Sequence, residues 1–271
     1  MTAVGAKGRG PVVVALSLAA VLALAGCTTV TTEKGKPPVR AKPVAMDQAL
    51  QDHIQLGLSY IGEGNRESAR HHLTKALEID GRSPGAHNGM ALLYQLEGET
   101  ALAEKHFKRA IALDRDFTRA RNNYGVFLVQ QQRVEEAHDE FRRVTEDTGY
   151  DQRPQAFVNL GITASRLGRQ EEAVEAWSRA IALNPRLAMP YLELADHHFA
   201  AGDIPQAARY LAAHDQLARP SARSLWLGLR IEHRFGNKDA VASKALALTK
   251  LFPYSRENLD YQEWLKNGRQ P

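Results

Sequence analysis

Residues 86–110 read AHNGMALLYQLEGETALAEKHFKRA, and the fold follows from them. The marker residues are Met90-Ala91-x-x-Tyr94, then a glycine at position 98, then Ala103, Phe107 and Ala110. A step of 34 residues forward finds Tyr124-Gly125-x-x-Leu128 with Ala137, Phe141 and Val144. A step of 34 back finds Leu56-Gly57-x-x-Tyr60 with Ala69, Leu73 and Ala76. After a step of 36 come Leu160-Gly161-x-x-Ala164 and Ala173, Trp177 and Ala180. Another 34 leads to Leu194-Ala195-x-x-His198 and Ala207, Leu211 and His214. A sixth, worn copy shows Leu227-Gly228, Ala240 and Ala247. Self-similarity at a fixed period marks a repeat architecture.

This set resembles the tetratricopeptide repeat, a helix–turn–helix unit of 34 residues, over positions 50 to about 253. The composition after residue 50 agrees, being rich in Ala, Leu, Glu, Arg and Gln, which are helix formers. The resemblance implies an all-α tetratricopeptide-repeat solenoid, a right-handed superhelix of six repeats closed by a C-terminal capping helix. Small residues such as Gly57 with Ala69, or Gly161 with Ala173, let two antiparallel helices approach closely. The aromatic or Leu four residues later fills the space beside them. Turn signals stand at Gly64, Gly98, Gly168, Gly202 and Gly236. The two extra residues between copies three and four fall in the stretch from Asp147 to Pro154 and predict a longer loop. Each hairpin leaves a face uncovered, so neighbours must stack and share stability. Ser255 reads as the N-cap of the closing helix from Arg256 to Lys266. Leu259, Trp264 and Leu265 are expected to lie on the sixth repeat.

The front of the chain is different in kind. Lys7 and Arg9 precede an uncharged apolar run of about 14 residues, Val12 to Ala25, too short for a spanning helix of roughly 20. A positive start, a short apolar run and small residues ahead of the cut read as a secretory signal peptide. The string Leu24-Ala25-Gly26-Cys27 resembles the bacterial lipobox, which implies lipidation of Cys27 and cleavage before it. Cys27 is the single cysteine in 271 residues, so no disulfide framework exists. Thr28 stands where an Asp commonly retains such proteins at the inner membrane, so the resemblance implies the periplasmic face of the outer membrane. Positions 27–45, rich in Thr, Pro, Lys and Arg and lacking aromatics, are expected to be a disordered lipidated tether. The expected organisation is therefore a lipoprotein signal peptide at 1–26, the tether at 27–45 and the repeat domain at 46–267.

Several functions are excluded as expectations. Removing residues 1–26 takes away two positive charges and lowers the formal net charge from +4 to +2. Clustered basic residues with interleaved aromatics, the footprint of a nucleic-acid binder, are missing. There is no His-Glu-x-x-His, no Gly-x-Ser-x-Gly elbow, no phosphate loop and no dinucleotide fingerprint. His71-His72 and His197-His198 are sequence neighbours that point apart on a helix. The chain is expected to be no enzyme, with no metal, no cofactor and no small-molecule substrate.

A binding surface is expected instead. The tetratricopeptide resemblance places Ile54, Leu58 and Ile61 of copy one on the concave side. With them stand Asn88 and Leu92 of copy two, and Asn122 and Val126 of copy three. Such an apolar stripe suits an extended or helical polypeptide, with Asn88 and Asn122 able to bond its backbone. Three longer strings, Ala120–Gly125, Ala222–Gly228 and Tyr261–Trp264, are similar to the pilotin family of type IV pilus lipoproteins. That resemblance implies binding to the type IV pilus secretin subunit and promotion of its outer-membrane localisation and multimerisation. The rival expectation is a general envelope adaptor that recruits peptidoglycan-processing or proteolytic enzymes.

Overall fold

The computed structural model describes residues 44–267; the expected signal peptide, Cys27 and nearly all of the tether lie outside the described residues. Thirteen α-helices and no strands occur among them. They pair as α1 (Val44–Gly62) with α2 (Arg66–Ile79), α3 (Pro84–Glu97) with α4 (Thr100–Leu113), and α5 (Thr118–Gln130) with α6 (Val134–Glu146). Next come α7 (Arg153–Arg166) with α8 (Gln170–Leu183), α9 (Ala188–Ala200) with α10 (Ile204–Leu217), and α11 (Ala222–Arg234) with α12 (Lys238–Leu251). Helix α13 (Arg256–Lys266) closes the array against α11 and α12. Helix α1 starts at Val44, two residues before the boundary expected at 46. The chain is an all-α tetratricopeptide-repeat solenoid.

The hairpins close because small residues admit a large one. A Cβ on Gly57 would come within 2.6 Å of Leu73, and one on Gly89 within 2.4 Å of the same side chain. Leu73 therefore wedges between α1 and α3. Phe141 lies as tightly on Gly125, and Trp177 on Gly161. Ala69, Ala76, Ala103, Ala110, Ala137, Ala173, Ala180 and Ala207 are fully buried, so the expected small-residue register holds through five copies. In the sixth, Lys244 takes the place beside Gly228, and burial falls on Ala245 and Leu248. Ala240 and Ala247, expected there, are only half-buried.

The turns use glycine where the backbone is left-handed. Gly98 ends α3 at φ 81°, and its N–H closes back on the Tyr94 and Gln95 carbonyls. The glycines at 64, 168, 202 and 236 match it, with φ between 74° and 82°. The third turn does without: Gln132 stands there at φ 60°.

The first helices of successive repeats stack on each other, α1 on α3 and α3 on α5, and later α7 on α9 and α9 on α11. Between the third and fourth repeats α7 instead packs broadly on α6. The insertion lies at this seam: Arg153 Nε donates to the Thr145 carbonyl at 2.8 Å, and the loop from Asp147 to Gln152 runs between α6 and α7.

The cap forms as expected at its start and differs at its face. The Ser255 hydroxyl accepts the Asn258 N–H at 3.1 Å. Trp264 meets Trp226 and His233 edge-on, with centroids at 6.3 and 5.9 Å, and Tyr261 meets Trp226 at 6.2 Å. Leu259 and Leu265, expected inside, are 61% and 51% exposed. Asn258 takes the buried position by donating to the Pro253 carbonyl at 2.9 Å. On an eleven-residue helix, facing Tyr261 and Trp264 inward turns Leu259 and Leu265 out.

Candidate partner-binding groove

The first helices of repeats one and two frame a cleft of about 530 Å³. One wall is α1, with Gln51, Ile54, Gln55 and Leu58, and the floor continues through Gly85 and Asn88 at the start of α3. The opposite wall is the turn into α5, from Asp116 to Arg119, together with Asp147, Gly149, Tyr150 and Asp151 of the inserted loop. The long loop is thus a wall of the cleft as well as a connector.

That wall is held by hydrogen bonds. Thr118 Oγ1 donates to Asp147 Oδ2 at 2.5 Å, and Asp147 Oδ1 accepts from the Gly149 N–H at 2.9 Å. The Thr118 hydroxyl, and after it the Gly149 N–H, hold the Asp147 carboxyl below the usual carboxylate range. Burial pushes the Tyr150 phenol up. Asp116, Asp147 and Asp151 against a single Arg119 leave the rim acidic.

The seven expected groove residues divide. Ile54, Leu58 and Asn88 line this cleft together. Ile54 is only 5% exposed and packs with Leu50, Ala76 and Ala86, so it is floor and not a free anchor. Asn88 is 2% exposed and its side-chain oxygen accepts from Asn123 Nδ2 at 3.0 Å, which ties α3 to α5. Leu58 is half-buried at the cleft wall. Ile61 packs half-buried on Leu73 and Met90, and Leu92 on the core around Phe107. Asn122 is half-buried and Val126 is 37% exposed, and neither lines the cleft. The residues missed from sequence are Thr118, Asp147 and Tyr150; the insertion was the signal, but its placement depends on where α6 and α7 meet.

A second cluster fastens repeats five and six. Arg223 donates to both Glu193 oxygens at 2.6 and 2.8 Å and to Asp196 at 2.7 Å. Arg230 lies over the Phe199 and Trp226 rings at 4.6 and 5.4 Å. Arg223 and Trp226 belong to the Ala222–Gly228 string: Arg223 joins α9 to α11, and Trp226 meets Tyr261 and Trp264 of α13. Among the described residues no group of three or more His, Cys, Asp or Glu converges as a metal centre.

Comparison with known proteins agrees with the fold. The tetratricopeptide repeat family matches residues 53–82, 94–159 and 154–187. The type IV pilus assembly protein PilF of Pseudomonas aeruginosa is 36% identical over 247 residues, covering 89% of this chain and 93% of that protein. The solved structure of Pseudomonas aeruginosa PilF superposes with a TM-score of 0.77, covering 81% of this chain and 99% of the other. PilW, described as a widely conserved type IV pilus biogenesis factor, gives a TM-score of 0.70 at 26% identity, covering 79% and 99%.

Proposed function

Because the chain belongs to the PilF family of tetratricopeptide-repeat proteins of type IV pilus biogenesis, we propose that it serves that process as a non-enzymatic lipoprotein pilotin. Anchored through Cys27 at the periplasmic face of the outer membrane, it binds a segment of the pilus secretin subunit and promotes the secretin's localisation and multimerisation. The observation that carries the reading is family membership across nearly the whole chain; a cleft lined by Ile54, Leu58 and Asn88 and walled by the inserted loop supports a bound segment.

The cleft favours a particular kind of segment. Ile54 and Leu58 supply an apolar floor and wall, while Asp116, Asp147 and Asp151 outnumber Arg119 at the rim. A polypeptide with an apolar anchor flanked by a basic residue fits that chemistry. Two acyl chains on Cys27 make anchoring stable, where one alone is marginal.

Deleting the gene and resolving heat-resistant secretin multimers on a gel tests the role. Multimers should disappear, return with the wild-type gene and return poorly with Leu58→Glu. Normal multimers and normal twitching in the deletion overturn the pilotin reading, and copurification with a hydrolase instead supports the envelope adaptor. Cys27→Ser should release the protein from the membrane fraction; outer-membrane retention of that variant overturns the anchor.

A further inference from the structure

Two histidine pairs occupy the same place in successive repeats. His53 Nδ1 stands 3.0 Å from His72 Nδ1, joining α1 to α2. Thirty-four residues on, His87 Nδ1 stands 3.1 Å from His106 Nδ1, joining α3 to α4. In the third repeat the same two places hold Arg121 and Glu140, ion-paired at 3.0 Å. The hairpin geometry thus brings two side-chain tips together at this register, whatever their chemistry.

The surroundings of the pairs suit ligation. His72 stacks on Tyr60 with centroids at 5.5 Å, and His106 lies by Tyr94 at 5.3 Å, so both rings are backed by an aromatic face. His87 Nε2 lies 3.2 Å from the Gly81 carbonyl, which can only accept. The ring proton therefore sits on Nε2 and the lone pair on Nδ1, turned toward its partner. An outer hydrogen bond of this type fixes the orientation of metal-binding imidazoles. Nitrogens 3.0–3.1 Å apart, each about 2.0–2.1 Å from a shared ion, subtend about 95° there. That angle matches a tetragonal ion holding nitrogen ligands on adjacent corners. All four rings are half-buried, which leaves room for water on the remaining corners.

We propose that His53 with His72, and His87 with His106, form two equivalent two-nitrogen sites for a divalent first-row metal ion that prefers imidazole. Cu²⁺ is held most tightly and Ni²⁺ and Zn²⁺ more weakly, following their intrinsic order of affinity. On binding, the His106 ring moves its proton from Nδ1 to Nε2, both Nδ1 lone pairs face the ion, and no electron is transferred. Each bound ion links the two helices of its own hairpin, so the metal stiffens the repeats that form the cleft.

The test uses the full-length, detergent-purified chain without an affinity tag, and Cu²⁺ alone as the probe. Equilibrium dialysis at neutral pH should give two ions per chain, one for His72→Gln and none for His72→Gln with His106→Gln. The double variant His197→Gln with His198→Gln should keep two. Copper resonance spectra should show two nitrogens per ion. Unchanged stoichiometry in the His72/His106 variant, or no uptake by the wild type, overturns the proposal. If a variant fails to fold, modification of the wild-type histidines by diethyl pyrocarbonate decides: Cu²⁺ should shield positions 53, 72, 87 and 106, and equal labelling with and without Cu²⁺ overturns the sites.

Discussion

Arg223 of α11 grips both carboxylate oxygens of Glu193 on α9, at 2.6 and 2.8 Å, across the seam between the fifth and sixth repeats. The bidentate geometry is the strong form of a charge-assisted hydrogen bond. The Glu193 carboxylate, and after it burial and Asp196, set the guanidinium's environment, and the net result raises its pKa. Arg223→Ala is expected to cost about 1–2 kcal/mol, at the modest end because the arginine is partly solvated. Chemical denaturation of the variant, compared with Glu193→Gln and the double substitution, should show strongly non-additive losses.

Gly161 lies under the Trp177 indole, where an added Cβ would sit 2.4 Å from Nε1. Trp177 is 2% exposed and cannot retreat without moving Ala164, Ala173 and Leu194. Gly161→Ala should therefore destabilise by about 1–3 kcal/mol through overpacking, despite the better helix propensity of Ala. A lower thermal midpoint with altered tryptophan fluorescence checks this.

Gln132 is the non-glycine residue at positive φ among the described residues, at 60°, in a turn where four other repeats and the sixth use glycine. Left-handed backbone costs an L-residue roughly 1–2 kcal/mol. Gln132→Gly removes that strain but adds unfolded-state freedom, so a net gain of about 0.5–1 kcal/mol is expected. A calorimetric midpoint raised by roughly 2–4 °C per kcal/mol would show it.

Glu104 accepts from Lys108 at 2.7 Å, Arg133 at 2.8 Å and the Tyr124 hydroxyl at 2.9 Å. Burial pushes its carboxyl up, but these donors outweigh it and hold the pKa at about 2, against the usual 4.5. The folded value is lower than the unfolded one, so ionised Glu104 stabilises above about pH 4.5 and that contribution fades as pH falls toward 2. Glu104→Gln should cost about 1–2 kcal/mol at pH 7 and little at pH 2. Urea titrations of both proteins at the two pH values measure the difference.

Truncation after Pro253 removes α13 and bares Trp226, whose ring meets Tyr261 and Trp264. The thermal midpoint should fall, and binding of a hydrophobic dye should rise. Terminal repeats need a covering element because their outer face is otherwise apolar.

The repeat was legible because position within a hairpin dictates residue size locally. Gly57, Gly125 and Gly161 recur at fixed distance from Leu73, Phe141 and Trp177, and this pattern survives without knowledge of the neighbours. The turn glycines were legible for the same reason. The faces of terminal elements were less so: Leu259 and Leu265 look like core residues, yet the short α13 spends its inner face on Asn258, Tyr261 and Trp264. The groove was legible only in outline. Leu58 and Asn88 do border the cleft, but Asn88 is already engaged by Asn123, 35 residues away.

The hairpins are written in the chain, because a 34-residue alternation of small and large side chains permits one close approach of two helices and few others. Tertiary structure alone decided what meets between those helices and across repeats. His53 and His72 are 19 residues apart and look unrelated until the hairpin closes and sets their nitrogens 3.0 Å apart. Asp147 becomes a wall of the cleft only because α7 swings onto α6. Local patterns fix helices through short-range sterics, whereas the His53–His72 encounter needs the closed hairpin, and the cleft wall needs the summed rotation of several stacked elements.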